Sequence, residues 1–105
     1  KLGEIITSVE SKNDEISLTE LSLFQNYPNP FNSSTSIKYQ IAYEGNVKIS
    51  IYNILGEKIQ IISDEHKTVG TYTLTFDSDD LTSGIYLYSL ETDSEILVKK
   101  LIILK

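Results

Sequence analysis

The residues able to do chemistry are few, and the first is the single histidine, His66, which follows Asp64 and Glu65. An imidazole beside carboxylates can act as a general base or a metal ligand. No serine or cysteine in a nucleophile motif accompanies it, so the expected state is a solvated histidine in a charged loop. Asp77, Asp79 and Asp80 crowd together before Gly84, and oxygen-rich loops of this kind can hold calcium. Their spacing lacks the glycine and the terminal glutamate of a calcium-binding loop, which leaves them as turn formers that hydrogen-bond their own backbone. Asn32-Ser33-Ser34 fits the N-glycosylation pattern, although Asn32 also suits a turn. Tyrosines could stack on sugars, but Tyr39, Tyr72, Tyr86 and Tyr88 fall on alternating strand faces where core packing accounts for them. Every acidic residue lies in a turn, a linker or a polar strand face, so no carboxylate pair for glycoside chemistry stands out. The expected catalytic, cofactor and metal sets are therefore empty.

The chain as a whole narrows the field further. Its 105 residues suit one domain, and 40% hydrophobic with 23% charged residues is the composition of a folded globular chain. All nine basic residues are lysine against 15 acidic ones, and a net charge of −6 disfavours nucleic acid. With no cysteine, disulfides, thiolate metal sites and thiol nucleophiles are excluded. No apolar run is long enough for a membrane-spanning helix. The chain does not begin with methionine, and the expectation is a fragment from the end of a longer protein.

These residues need elements to hold them, and the pattern calls for strands. Leu2, Ile5 and Ile6 suit the close of an upstream domain, and Ser8 to Glu20 reads as an acidic linker, so residues 1–20 are set apart from a domain over 21–105. Leu21 and Leu23 lead into a proline segment, after which Ile37, Tyr39 and Ile41 alternate with polar residues. Gly45 and Asn46 supply turn chemistry before Val47, Ile49 and Ile51, which predicts a hairpin. Asn53 to Gly56 predicts another turn, followed by a strand with Ile59 and Ile61 on one face and then the charged loop "SDEHKTVG". Tyr72, Leu74 and Phe76 share a face that must be buried, as do Tyr86, Tyr88 and Leu90 after Gly84. About seven short strands, with turns every eight to twelve residues, predict an all-β, two-sheet antiparallel sandwich, with a barrel as the weaker alternative.

Two segments depart from plain alternation. In "QNYPNPFN", Pro28 and Pro30 fix their own φ angles and have no N–H to donate, so the chain there is stiff and unable to join a central ladder. This suits a crossing from one sheet to the other, anchored by Tyr27 and Phe31. In the last strand, Leu101 to Leu104 place apolar side chains on both faces after Lys99-Lys100. Either that strand is covered on both sides, or its edge receives a strand from another protein.

"NYPNPFN", "IYNILGEKI", "LTSGIYLYSL" and "KKLIILK", in this order, resemble the C-terminal sorting domain of proteins exported by the type IX secretion system of Gram-negative bacteria. The resemblance covers about Leu21 to Lys105, and there is a fold-level likeness to the immunoglobulin-like module of flagellar hook-capping proteins. It implies a non-catalytic, seven-stranded immunoglobulin-like sandwich that sends a larger protein through the periplasm to the cell surface. Implied partners are shuttle proteins, the outer-membrane translocon and a surface sortase-like protease that cuts within Ser8 to Glu20 and joins the cargo to anionic lipopolysaccharide. The family motif maps onto Pro28, Asn29, Pro30, Phe31 and Asn32, onto Gly84 and Tyr86, and onto Lys99, Lys100 and Lys105, as recognition or fold positions. Ser33 departs from it, where the family often has a third proline. Two other readings of the residues remain open: an accessory carbohydrate-binding sandwich, and a structural or self-associating module.

Overall fold

The computed structural model describes residues 20–105, so the linker expected over Ser8 to Glu20 lies, but for Glu20, outside the described residues, as do Leu2, Ile5 and Ile6. Among the described residues seven strands follow one another without a helix: β1 (Ser22–Leu23), β2 (Ser34–Ile41), β3 (Gly45–Tyr52), β4 (Lys58–Lys67), β5 (Gly70–Asp77), β6 (Gly84–Glu91) and β7 (Ile96–Ile103). They form a three-stranded sheet in the order β1-β2-β5 and a four-stranded sheet in the order β4-β3-β6-β7, with every ladder antiparallel. The all-β two-sheet sandwich read from the pattern is the fold.

Alternation builds the core from both sides. Ile37, Tyr39, Ile41 and Phe76 of the first sheet face Val47, Ile49, Ile51, Tyr88, Leu90, Leu101 and Ile103 of the second, and all are essentially sealed from water. Tyr72 stacks on Tyr39 at 5.5 Å between ring centroids, closing the β2–β5 side.

Three expectations need correction. Residues around Gly45 and Asn46 do not close a hairpin, because β2 and β3 lie in different sheets and the connection crosses the sandwich. Turn chemistry looks the same in both cases; what differs is that Ile37–Ile41 and Val47–Ile51 bury their apolar rows against one core from opposite sides. The stretch Ser63 to Lys67 is not a loop but the second half of β4, held by pairing to Gly45–Ile49 of β3. An edge strand needs little apolar content, and charge on it discourages further pairing. The simple alternation of Ile59 and Ile61 with Lys58 and Gln60 is broken: register shifts set Ile61 opposite Ser50 and Lys58 opposite Tyr52, on the same outer face, and both isoleucines are substantially exposed.

The turn at Asn53 to Gly56 forms as read. Asn53 Oδ1 accepts hydrogen bonds from the backbone N–H of Leu55 (2.9 Å) and Glu57 (3.0 Å), and Gly56 sits at φ 87°. A Cβ there would meet nothing within 4 Å, so Gly56→Ala tests backbone strain alone. The variant is expected to lose about 1 kcal/mol of stability in chemical denaturation.

Candidate recognition site

The proline segment links two strands of one sheet and on its way fastens itself to the other. Both Tyr27-Pro28 and Asn29-Pro30 are cis. Before them, Tyr27 exchanges two backbone hydrogen bonds with Ser36 at the start of β2 (3.0 and 2.9 Å). After them, the Phe31 N–H donates to the Ile102 carbonyl (3.1 Å), and the Phe31 carbonyl accepts from Leu104 (2.8 Å), a short parallel bridge to the outer edge of β7. Asn29 Oδ1 accepts the Ile102 N–H (2.9 Å), and Gln25 Nε2 donates to the Lys100 carbonyl (2.7 Å). From Lys100 to Leu104 the edge of the last strand is thus occupied from within the chain.

Side chains lock this clasp from beneath. The Phe31 ring is buried edge-on against Phe76, with centroids 6.2 Å apart and an interplanar angle of 71°. Asn26 is buried and spends its amide on the Pro28 carbonyl (3.1 Å) and on Thr35 Oγ1 (2.9 Å). Thr35 Oγ1 donates in turn to the Pro28 carbonyl (2.8 Å). The Tyr88 hydroxyl, reaching across from β6, accepts from the Asn26 N–H (2.9 Å) and donates to the Phe24 carbonyl (2.7 Å). Burial pushes the Tyr88 pKa up to about 12, so the phenol stays a donor through the ordinary pH range.

Two parts of the sequence reading change here. The segment does not carry the chain between sheets, since β1 and β2 are neighbours in one sheet; it bonds sideways to β7 and returns. Phe31 is an anchor but Tyr27 is not, its side chain being 80% exposed. Pro28, Asn29, Pro30 and Asn32 are exposed as well, so the surface of the clasp is made almost wholly of motif residues. Between the two readings of the last strand, Leu101 and Ile103 go into the core and Ile102 is half-buried on the outer face. Along β7, only Ile96 to Lys99 keep an outer edge with no described partner.

The remaining motif positions gather near the same end. Lys105 donates its backbone N–H to Ser83 Oγ (2.9 Å) and its ammonium to the Asp79 carbonyl (2.6 Å), tying the last residue to the β5–β6 turn. Lys100 is exposed, whereas Lys99 is partly buried on the inner face opposite Tyr88. Gly84 has φ 155° and lies under the Tyr86 ring, whose hydroxyl donates to the Thr82 carbonyl (2.8 Å). The same device recurs at the start of β5, where the Tyr72 hydroxyl donates to Thr68 (2.7 Å) over Gly70. This Thr-x-Gly-x-Tyr repeat, at Thr68 and again at Thr82, was visible in the sequence and shows that Gly84 and Tyr86 build a strand entrance. Asn26, Gln25, Thr35 and the Tyr88 hydroxyl were not singled out from the sequence. The available signal was a tyrosine on a buried face, which requires a partner for its hydroxyl.

The candidates for chemistry are scattered. His66 lies in β4 opposite Asn46, exposed, with Nε2 2.8 Å from the Glu44 carboxylate. Among the described residues no three His, Asp or Glu side chains cluster as a metal site. A shallow depression of about 690 Å³ opens at the far end, between Tyr43, Glu44, Asp93 and Glu95, beside Glu20. The two most exposed tyrosines, Tyr27 and Tyr43, stand at opposite ends of β2, about 25 Å of strand apart, and do not share a stacking platform.

A family model described as the secretion system C-terminal sorting domain matches residues 25–104. No curated protein and no solved structure matches the chain.

Proposed function

Because the chain belongs to the family of secretion system C-terminal sorting domains, we propose that its address is read at the joint where the proline segment clasps the last strand. A domain of this family is a sorting signal for type IX secretion, and it implies contact with the secretion machinery and a secreted or cell-surface destination. Its family is one of signals rather than catalysts.

The observation that carries the proposal is the meeting of two motifs from distant parts of the chain: Asn29 and Ile102, 73 residues apart, share a hydrogen bond. Tyr27, Pro28, Asn29, Pro30 and Asn32 then stand exposed beside Lys100 and Lys105. A partner that binds this surface senses both motifs at once and only in the folded domain. In this reading Phe31, Gly84 and Tyr86 hold the shape, while Tyr27, Asn29, Lys100 and Lys105 make contacts. Shuttle proteins and the outer-membrane translocon are the proposed readers, met after passage into the periplasm of a Gram-negative cell. A surface sortase-like protease then cuts upstream and attaches the cargo to anionic lipopolysaccharide. On β7, the free edge at Ile96 to Lys99 is the place for strand addition by such a partner. The three-plus-four division of strands supports the immunoglobulin-like assignment.

The test is a reporter fused to this chain in a type IX-competent cell and in a strain lacking the system. Export in the first alone is expected; export in both, or in neither, overturns the sorting function. Removing Leu101 to Lys105 is a poor probe, because Leu101 and Ile103 are core residues. Tyr27→Ala is the sharper one, since an exposed ring contributes little to stability. We expect severalfold less export at unchanged melting temperature; full export would overturn the placement of the address at the clasp and leave the family function standing.

A further inference from the structure

The two outer faces of the sandwich are chemically unlike. The three-stranded sheet shows water Ser36, Lys38, Thr71, Thr73, Thr75 and Asp77, as a solvated face should. The four-stranded sheet turns outward Ile61, Ile85, Ile96 and Val98, each about half exposed, together with half-buried Leu87 and Ile102. The register sets them in rows. Across the middle run Ile61, Ser50, Ser89 and Val98; beside that row run Lys58, Tyr52, Leu87 and Lys100; on its other side lie Asp64, Lys48, Glu91 and Ile96.

The centre of this face is flat. Ser50 and Ser89 are fully buried although they point outward. Ser89 Oγ donates to the Tyr52 hydroxyl (3.3 Å), so the phenol reaches the serine row, and Lys58 Nζ lies 5.9 Å from the centre of the ring. A flat apolar sheet face is the shape that another sheet face covers, at about 10 Å separation.

We propose that this face binds the same face of a second copy of the chain. Charge selects that occupant. Lys58 and Lys100 stand on one side of the serine row and Asp64, Lys48 and Glu91 on the other, so a second copy turned end for end about that row sets Lys58 opposite Asp64 and Lys100 next to Glu91. The face is thereby complementary to itself, as a two-fold interface requires. Three strands of eight residues and one of ten offer about 500 Å² per copy, or about 1,000 Å² for the pair, the lower limit for a specific interface. The association is therefore weak, with a dissociation constant of about 10–100 µM, which a high local density of exported chains would satisfy.

Sedimentation equilibrium of the whole chain between about 5 and about 500 µM tests this. The expected result is a monomer–dimer equilibrium that Val98→Glu weakens at least about tenfold without lowering the melting temperature, while Thr73→Glu on the polar face leaves it unchanged. Lys58→Glu should weaken the dimer and Asp64→Lys added to it should restore it. A chain that stays monomeric throughout, including one that instead sediments with anionic vesicles or with a secretion protein, overturns the proposal; so does a dimer indifferent to Val98→Glu. Because the readout is mass and not export, its failure leaves the sorting function untouched.

Discussion

Phe31→Ala is expected to lower the unfolding free energy by about 3–5 kcal/mol. The ring is 3% exposed, so its removal takes away a full aromatic side chain and leaves a hole between the proline segment and Phe76. The surroundings cannot close that hole readily, because backbone bonds from Phe31 to Ile102 and Leu104 fix its position. For a domain of this size, whose whole stability is about 5–15 kcal/mol, the loss populates the unfolded chain visibly. Urea unfolding monitored by tyrosine fluorescence measures it. A double-mutant cycle with Phe76→Ala should show a coupling of about 0.5–1.5 kcal/mol from the edge-on ring pair. A loss below about 1 kcal/mol would mean that the clasp holds without its aromatic anchor.

Tyr88→Phe is expected to cost about 2–4 kcal/mol, although it removes one oxygen atom. That oxygen satisfies both the Asn26 N–H and the Phe24 carbonyl, and phenylalanine leaves the two backbone groups unpaired at the edge of the core. The hydroxyl also gives stability an alkaline limit. Its folded pKa, raised by burial to about 12, lies above the ordinary tyrosine value of 10.0, so the native state holds the proton more tightly than the unfolded one. The contribution is complete below pH 10 and is lost as pH climbs from 10 through 12, a total of about 2–3 kcal/mol. Tyr39 is shifted in the same direction, also chiefly by burial. Stability measured from pH 8 to pH 12 should fall, and the fall should be shallower in Tyr88→Phe. A parallel decline in both proteins would show that this hydroxyl is not the group that titrates.

Where period two was clean, the sequence carried the fold: Tyr72, Leu74 and Phe76 in β5 and Tyr86, Tyr88 and Leu90 in β6 could be read directly, as could the Asn53 turn. Pairing across sheets was hidden. Local pattern tells which side of β2 and β3 is apolar but not whether the two strands are neighbours or face each other, and they face each other. The charged half of β4 was misread because an edge strand is defined by its partner, Gly45–Ile49, more than by its own residues. At the site, the motif residues could be named from resemblance and the stiffness of Pro28 and Pro30 from chemistry. That Asn29 and Phe31 would bind the strand edge at Ile102 and Leu104 could not, because a contact between distant segments leaves no periodic trace.

The clasp also bears on the order of synthesis. Of the seven strands, β7 leaves the ribosome last, while the segment that holds it emerges soon after β1. Until Leu101 and Ile103 arrive, the inner face of β6 lacks its neighbour, the Phe31 backbone lacks its bridge, and Asn29 Oδ1 has nothing to accept. A nascent or prematurely terminated chain therefore presents two open sites together, an apolar sheet margin and an unlatched proline segment, both accessible to chaperones and proteases. The finished surface of the joint therefore forms only once β7 has been made, so it reports that the domain has been translated through its seventh strand.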